Sequence, residues 1–165
     1  MSQICVTATR VQCYHLDELK MRNSGSLIGR RGFLAGVLPL CCSSPLAPPD
    51  SFRIEGATLL VDLAKVSGLN RPASAVALVD ANHGLNLIIV RSESRRYHVL
   101  DRACTHGGAS CAYQQRSRTL RCTSLNHAEY SLEGTLLHGR THGSLRSYSV
   151  RRRGAVLEIG LENRT

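Results

Sequence analysis

Aromatic residues are scarce in this chain of 165 residues, which has no tryptophan and only two phenylalanines. A hydrophobic core must therefore be built from aliphatic side chains, and the hydrophobic content of 42% supplies them. The longest apolar stretch near the N-terminus is also well short of the roughly 20 residues that a membrane-spanning helix needs. With 20% charged residues, the composition is that of an ordinary globular chain, long enough for one modest domain.

Acidic residues are in the minority, because 12 Asp and Glu face 21 Lys and Arg and the formal net charge is +9. The excess is scattered arginine and not a basic stripe interleaved with aromatic residues. Nucleic-acid binding, which favours such a stripe, is therefore not expected. A basic surface suits an acidic protein partner or anionic lipid headgroups.

The segment before residue 52 has the organisation of an export signal. Arg30 and Arg31 are followed, after one residue, by Phe33-Leu34 and an apolar segment that ends at Cys42. Small and proline-rich residues, 43–50, close it. This pattern is typical of a twin-arginine signal and predicts export to the bacterial periplasm or to the outer face of the cytoplasmic membrane.

The segment boundaries follow from the signal. Met21 gives the signal a short basic start, so translation is predicted to begin at Met21 and residues 1–20 are interpreted as a mis-assigned upstream extension. Residues 21–51 are assigned to the signal or anchor and its linker, and residues 52–165 to the folded domain. If the signal is retained, residues 30–47 can associate with a membrane.

The domain consists of short apolar runs broken by turn residues, which predicts strands. The expected strands are residues 58–61, 74–79, 85–90, 96–100, 145–151 and 155–161. Asn82-His83-Gly84 and Arg153-Gly154 suit hairpin turns. No segment longer than about ten residues shows a helical apolar period, so an all-β sandwich or small barrel is expected.

Of the seven cysteines, only Cys104, Cys111 and Cys122 lie among histidines. An odd number of cysteines cannot all form disulfides, and their spacing shows no repeating framework. This last group is therefore interpreted first as a metal site.

Two short motifs define the candidate ligands. Cys104-Thr105-His106 follows a predicted strand directly, and a second loop begins at Cys122 and reaches His127. Each loop offers one thiolate and one imidazole. The pair of loops resembles the Rieske iron–sulfur family, which uses Cys-x-His in one loop and Cys-x-x-His in the other.

The resemblance implies an all-β, small antiparallel sandwich or barrel with a two-loop subdomain that binds one [2Fe-2S] cluster per chain. By that resemblance, Cys104 and Cys122 bind one iron while His106 and His127 bind the other. Neutral imidazoles in place of two thiolates make the cluster less negative and easier to reduce. The family range is roughly −150 to +300 mV, against about −400 mV for all-cysteine plant-type clusters.

The surroundings of the two motifs follow the family in outline. Gly107, Ser124 and Tyr130 are expected next to the ligands, and the Tyr130 hydroxyl can donate a hydrogen bond to a cysteine thiolate. The usual serine donor after the second histidine is missing, since Ala128-Glu129 stands there. Hydrogen bonds to sulfur raise the potential, so a potential below that of the high-potential respiratory members is expected.

Other departures concern the second loop and Cys111. The loop reads Cys-x-x-x-x-His, two residues longer than the family pattern, and it lacks the second cysteine of many respiratory members. Cys111 therefore has no evident disulfide partner and is interpreted as a structural or free thiol. His138 and His142 are interpreted as polar residues of a third loop near the cluster.

Two rival interpretations remain open. The set Cys104, His106, Cys122 and His127 also has the composition of a Cys₂His₂ zinc site in a structural or interaction domain. A thiol-based enzyme is less favoured, because no cysteine outside the cluster motifs stands beside an activating histidine and a glycine-rich loop.

The sequence thus predicts an electron-transfer component of an oxidoreductase and not a stand-alone enzyme. The expected partner is a redox protein, a cytochrome or a quinol-oxidising subunit. Quinol oxidation in a cytochrome bc-like complex is the leading setting and a molybdenum oxidase is an alternative, whereas the export signal disfavours a cytoplasmic dioxygenase ferredoxin.

Overall fold

A computed structural model describes residues 44–125 and 128–162 of the chain. The chain divides into two units, residues 1–38 and 39–165. The first unit lies wholly outside the described residues, and so do the predicted start at Met21, the twin-arginine motif and the apolar segment that follows it. His127 also lies outside the described residues.

The described residues form eleven strands and two short 3₁₀ helices, Pro49–Ser51 and Ser67–Leu69. In chain order the strands are β1 (Phe52–Glu55), β2 (Thr58–Asp62), β3 (Ser74–Asp80), β4 (Leu85–Arg91), β5 (Tyr97–Asp101), β6 (Cys111–Gln114), β7 (Thr119–Cys122), β8 (Glu129–Tyr130), β9 (Leu136–His138), β10 (Ser147–Arg153) and β11 (Val156–Gly160). All pairs between these strands are antiparallel. The prediction of an all-β antiparallel fold is confirmed.

The larger sheet has seven strands in the order β1-β2-β11-β10-β5-β4-β3. Two of its hairpins are those expected from the turn residues. β3 and β4 pair from Ser74↔Arg91 to Asp80↔Leu85, and their turn places Gly84 at a φ of +64°. β10 and β11 pair around Gly154, at a φ of +59°. Glycine adopts this left-handed conformation without the steric cost that other residues meet.

Strand β4 explains why residues 85–90 are apolar without interruption. Successive side chains of a strand point to opposite faces. Leu87 and Ile89 join one core cluster, and Ile88 and Val90 join a second one. All four are fully buried because both faces of the strand are covered.

The smaller sheet has four strands in the order β6-β7-β8-β9. Its buried residues Leu120 and Tyr130, which are direct partners across β7 and β8, pack in the second core cluster with Leu100 of the larger sheet. Cys104, Cys111 and Cys122 belong to the same cluster. The smaller sheet therefore holds Cys111 and Cys122 against the larger one. The sequence did not predict its strands.

The chain before β1 also contacts the larger sheet. Pro45 and Ala47 exchange backbone hydrogen bonds of 2.8 Å with Ala77 of β3. Within the described residues, no helix is long and apolar enough to cross a membrane.

The connection between β8 and β10 depends on Gly134. Its φ is +93°, and its amide and carbonyl groups bond to Ser131 and Leu145. A Cβ at this position would overlap the backbone carbonyl oxygen of Leu145. Gly154 also has a positive φ, but a Cβ there would meet no atom within 4 Å. Gly134 is therefore required both for its backbone conformation and for lack of space, whereas Gly154 is required for its backbone conformation only.

We expect Gly134→Ala to destabilise the protein considerably more than Gly154→Ala. The Gly154 variant should lose about 1–2 kcal/mol of unfolding free energy through its left-handed backbone alone. The Gly134 variant should lose more, because its new Cβ must also displace the backbone carbonyl of Leu145. Urea denaturation of both variants tests this, and equal losses would contradict the role given to the Gly134 contact.

Candidate metal centre

The first ligand loop begins directly after β5 and is closed by backbone hydrogen bonds. The Cys104 amide donates to the Ala109 carbonyl at 2.8 Å, and the Gly108 amide donates to the Cys104 carbonyl at 2.9 Å. Gly108 has a φ of +72°, which permits the tight return. The loop leaves the Cys104 side chain buried and the His106 side chain half-buried.

The second ligand loop begins at the end of β7. The Cys122 amide donates to the Ala128 carbonyl at 2.8 Å, so the two ends of this loop are tied together. Thr123 of this loop is bonded to Ser110, the residue after the first ligand loop. The Thr123 amide and hydroxyl both donate to the Ser110 carbonyl, at 3.0 and 2.9 Å. This contact fixes the two loops side by side.

Three sulfur atoms meet where the loops join. Cys111 is the direct partner of Cys122 across β6 and β7. The Sγ atoms of Cys104, Cys111 and Cys122 all lie within 4.8 Å of one another, and all three residues are buried and free of disulfides. In the described part of the chain, no other three metal-binding side chains converge in this way.

The His106 ring lies between the two loops. Its Nδ1 is 2.7 Å from the Cys104 Sγ, and its Nε2 is 2.9 Å from the Ser124 Oγ. The Ser124 Oγ is in turn 3.2 Å from the Cys122 Sγ. Ser124 therefore links the imidazole of the first loop to the sulfur of the second.

Tyr130 approaches the same group from β8. Its hydroxyl lies 3.1 Å from the Cys104 Sγ and 3.2 Å from the Thr105 Oγ1. The Thr105 hydroxyl donates to the Gly143 carbonyl at 3.2 Å. Because Tyr130 is fully buried, its hydroxyl has a fixed position beside the sulfur.

The neighbouring Glu129 does not take part in this group. Its carboxylate accepts a short hydrogen bond from the Thr119 hydroxyl, and this bond lowers the pKa of Glu129. His138 and His142 are exposed, and neither belongs to the sulfur group. The described ligand atoms are therefore three thiols and the His106 imidazole.

Cys104 and Cys111 differ in acidity. Burial raises the pKa of Cys104, but hydrogen bonds from the His106 backbone, the Tyr130 hydroxyl and the His106 ring outweigh it and bring the pKa down to about 7. Burial raises the pKa of Cys111, and so do the adjacent charges of Cys104 and Cys122. At neutral pH, Cys104 is thus poised to become a thiolate, whereas Cys111 remains a thiol.

The donors fit a diiron cluster with mixed ligands. Thiolates are the ligands of iron–sulfur clusters, and imidazoles replace two of them on one iron in Rieske centres. A thiolate and an imidazole bound to different irons must stand further apart than the 2.7 Å between Cys104 and His106. Holding a cluster would therefore require the His106 ring to move away from Cys104, and Gly107 and Gly108 beside it are exposed, with open space where a side chain would stand.

Comparisons with known proteins found no match to a protein-family model and none to a curated protein. Solved structures do overlap with the chain. The plasma membrane Rieske protein PetC3 of Synechocystis PCC 6803 has a TM-score of 0.45 and 17% identity, over 52% of this chain and 84% of that chain. The ferredoxin of carbazole 1,9a-dioxygenase from Nocardioides aromaticivorans IC177 has a TM-score of 0.47 and 18% identity, over 56% of this chain and 88% of that chain.

The quaternary ammonium Rieske monooxygenase CntA has a TM-score of 0.48 and 16% identity. This overlap spans 60% of the present chain but only 31% of the CntA chain. All of these TM-scores are low, and the overlaps carry no argument about function.

In the metal-free protein, one thiol should titrate near neutral pH. Since the pKa of Cys104 is lowered to about 7, its thiolate should appear as the pH rises through that value. The difference in ultraviolet thiolate absorbance between the wild type and Cys104→Ser isolates this step. Tyr130→Phe removes a donor to the thiolate and should move the midpoint to higher pH. A difference titration with an ordinary cysteine midpoint, unmoved by Tyr130→Phe, would contradict the assignment.

Proposed function

We propose that the chain is a one-electron transfer protein whose centre is a Rieske-type [2Fe-2S] cluster. The observation that carries this proposal is the convergence of Cys104 and Cys122, from two different loops, with His106 between them. Cys104 and Cys122 would bind one iron. His106 and the sequence-predicted His127 would bind the other. When bound, the cluster stores and releases one electron.

The protein's own residues would set how readily the electron is accepted. The buried sulfur end lies among Leu100, Leu120 and Tyr130 and is shielded from water. The Tyr130 hydroxyl is positioned to donate to the Cys104 sulfur. Such a donor stabilises the more negative, reduced state and raises the potential.

The imidazole end would face the redox partner. His106 is half-buried, and Gly107 and Gly108 beside it are exposed, so a partner can approach within a short distance of the ring. Arg116 and Arg121, between the ligand loops, are also exposed. Together with the net charge of +9, they favour an acidic protein partner.

The proposed cellular setting is supported by the sequence. The twin-arginine pattern at Arg30 and Arg31 supports export to the periplasm or the outer face of the membrane. That route carries folded proteins and suits a cofactor inserted before export. In this setting the protein would act as a subunit of a redox complex, with quinol oxidation in a cytochrome bc-like complex as the leading case.

Electron paramagnetic resonance of the dithionite-reduced, iron- and sulfide-loaded protein tests the cluster directly. We expect a rhombic signal whose average g value lies below that of all-cysteine clusters, because imidazole ligands change the field at the reduced iron. The Cys104→Ser and Cys122→Ser variants should lose the signal. A silent protein that holds stoichiometric zinc would contradict the proposal and support a mononuclear zinc site instead.

Tyr130→Phe should lower the reduction potential of the loaded protein without removing the cluster. A hydrogen bond that is stronger in the reduced than in the oxidised state by about 1.4 kcal/mol raises the potential of a one-electron couple by about 59 mV, and its loss lowers the potential by the same amount. Protein-film voltammetry measures the shift. Tyr113→Phe is the matched control, since the Tyr113 hydroxyl has no hydrogen-bond partner among the described residues. Equal potentials in the wild type and Tyr130→Phe would exclude the proposed donor.

A further inference from the structure

Cys111 has no part in the proposed cluster, yet its sulfur lies within 4.8 Å of the two sulfurs that do. It is fully buried. Its position is set by backbone pairing on both sides, because Cys111 is opposite Cys122 on β7 and its amide donates to the Arg102 carbonyl at 2.7 Å. The third thiol is therefore held at the centre by the fold.

We propose that Cys104, Cys111 and Cys122 form a three-thiolate site that binds one thiophilic divalent cation when the diiron cluster is not in place. This site goes beyond the proposed electron transfer and does not depend on it. It also differs from the Cys₂His₂ zinc set, because it uses Cys111 and does not use His127.

The spacing of the sulfurs suits a single ion. A zinc–thiolate bond is about 2.3 Å long, so three sulfurs around one ion in a plane stand about 4.0 Å apart. The three sulfurs here are separated by no more than 4.8 Å. Each would move inwards by at most about 0.5 Å to reach bonding distance. Side-chain rotation provides such a shift without a change in the backbone.

The backbone around the sulfurs keeps them together without an ion. The Cys104 amide is tied to the Ala109 carbonyl at 2.8 Å, and the Ser110 carbonyl accepts from both the amide and the hydroxyl of Thr123. The three cysteines thus start close to their bound arrangement. Little conformational entropy is then lost when an ion binds.

The charge of the site selects the kind of ion. Three thiolates in an apolar core repel one another. A divalent cation offsets more of this charge than a monovalent one. No carboxylate stands in the described sulfur group, so hard cations such as Mg²⁺ and Ca²⁺ lack the oxygen ligands that they need.

His106 can supply a fourth ligand after its ring moves away from the Cys104 Sγ, because Nδ1 lies 2.7 Å from that sulfur whereas a nitrogen and a sulfur on one tetrahedral zinc stand about 3.6 Å apart. Three cysteines and one histidine are a common set for tetrahedral zinc. Cys104 and Cys122 cannot serve the single ion and the cluster at once. Cation binding and cluster binding therefore exclude each other, and Cys111 contributes to the first only.

Cobalt(II) titration of the reduced, metal-free full chain tests the site, because each thiolate–cobalt bond adds to a charge-transfer absorption. The wild type should show the intensity of three thiolates. Cys111→Ser, which keeps the size of the side chain, should lose about a third of the intensity and bind cobalt at least about tenfold more weakly. Cys111→Ala should give the same result. His127→Ala and the double variant Cys41→Ser/Cys42→Ser should match the wild type.

The outcomes separate this site from the cluster. Unchanged intensity and affinity in both Cys111 variants would overturn the proposal, as would the absence of thiolate–cobalt absorption in the wild type. A loss of intensity or affinity in His127→Ala would point instead to the Cys₂His₂ set. Iron and sulfide loading of Cys111→Ser is a separate measurement of cluster formation, and the variant should still form the cluster because Cys111 is not one of its ligands. If the wild type takes up cobalt through three thiolates but forms no cluster, the electron-transfer proposal fails and the cation site stands.

Discussion

The pairing of β6 with β7 is the contact on which the candidate centre depends. It brings Cys111 opposite Cys122, and it continues into the Ser110 carbonyl, which accepts two hydrogen bonds from Thr123. Ser110 is also the antiparallel partner of Ala103, the residue before Cys104. One short ladder therefore connects the first ligand loop, the third cysteine and the second ligand loop. Without it, Cys104 and Cys122 would be on unrelated turns.

This ladder works only because the larger sheet supports it. Ile88, Val90 and Leu100 project from the larger sheet into the cluster of side chains that contains the three cysteines. The opposite face of β4 carries Leu87 and Ile89 into the other core. The ligand loops thus rest on a strand buried on both sides, and their sulfurs face a dry, closely packed interior. In such surroundings, an unpaired thiolate is costly in free energy. A hydrogen bond from the Tyr130 hydroxyl, or a bound cation, therefore stabilises a thiolate more than it would in water.

The larger sheet could be predicted because its strands are long and its turns have clear signals. The apolar runs 74–79 and 85–90 and the turns at Gly84 and Gly154 are local features, and local features are visible in a sequence. The smaller sheet was missed for the opposite reason. Its strands have two to four residues, and residues such as Gln114 and Arg121 give them no apolar alternation. They form because each pairs with a neighbour, not because of their own pattern.

The same distinction, between local sequence signals and contacts between distant segments, applies to the candidate site. Cys104, His106 and Cys122 were identified from their motifs, and the structure brings all three together. The position of Cys111 beside both sulfurs depends on the register of β6 and β7, which the sequence does not reveal. The bridge from Ser124 to His106 depends on how the loops meet, although Ser124 itself was expected near the ligands. His127 was predicted from its motif and stays a prediction.

In the proposed cluster, the chain holds two irons in different ligand environments. Mössbauer spectroscopy of the protein loaded with ⁵⁷Fe and sulfide tests this most directly, because the isomer shift of each iron reports its own ligands. We expect two quadrupole doublets of equal area and different isomer shifts in the oxidised protein, one from a thiolate-bound and one from an imidazole-bound iron. A single doublet, or no iron bound in a cluster, would contradict the account.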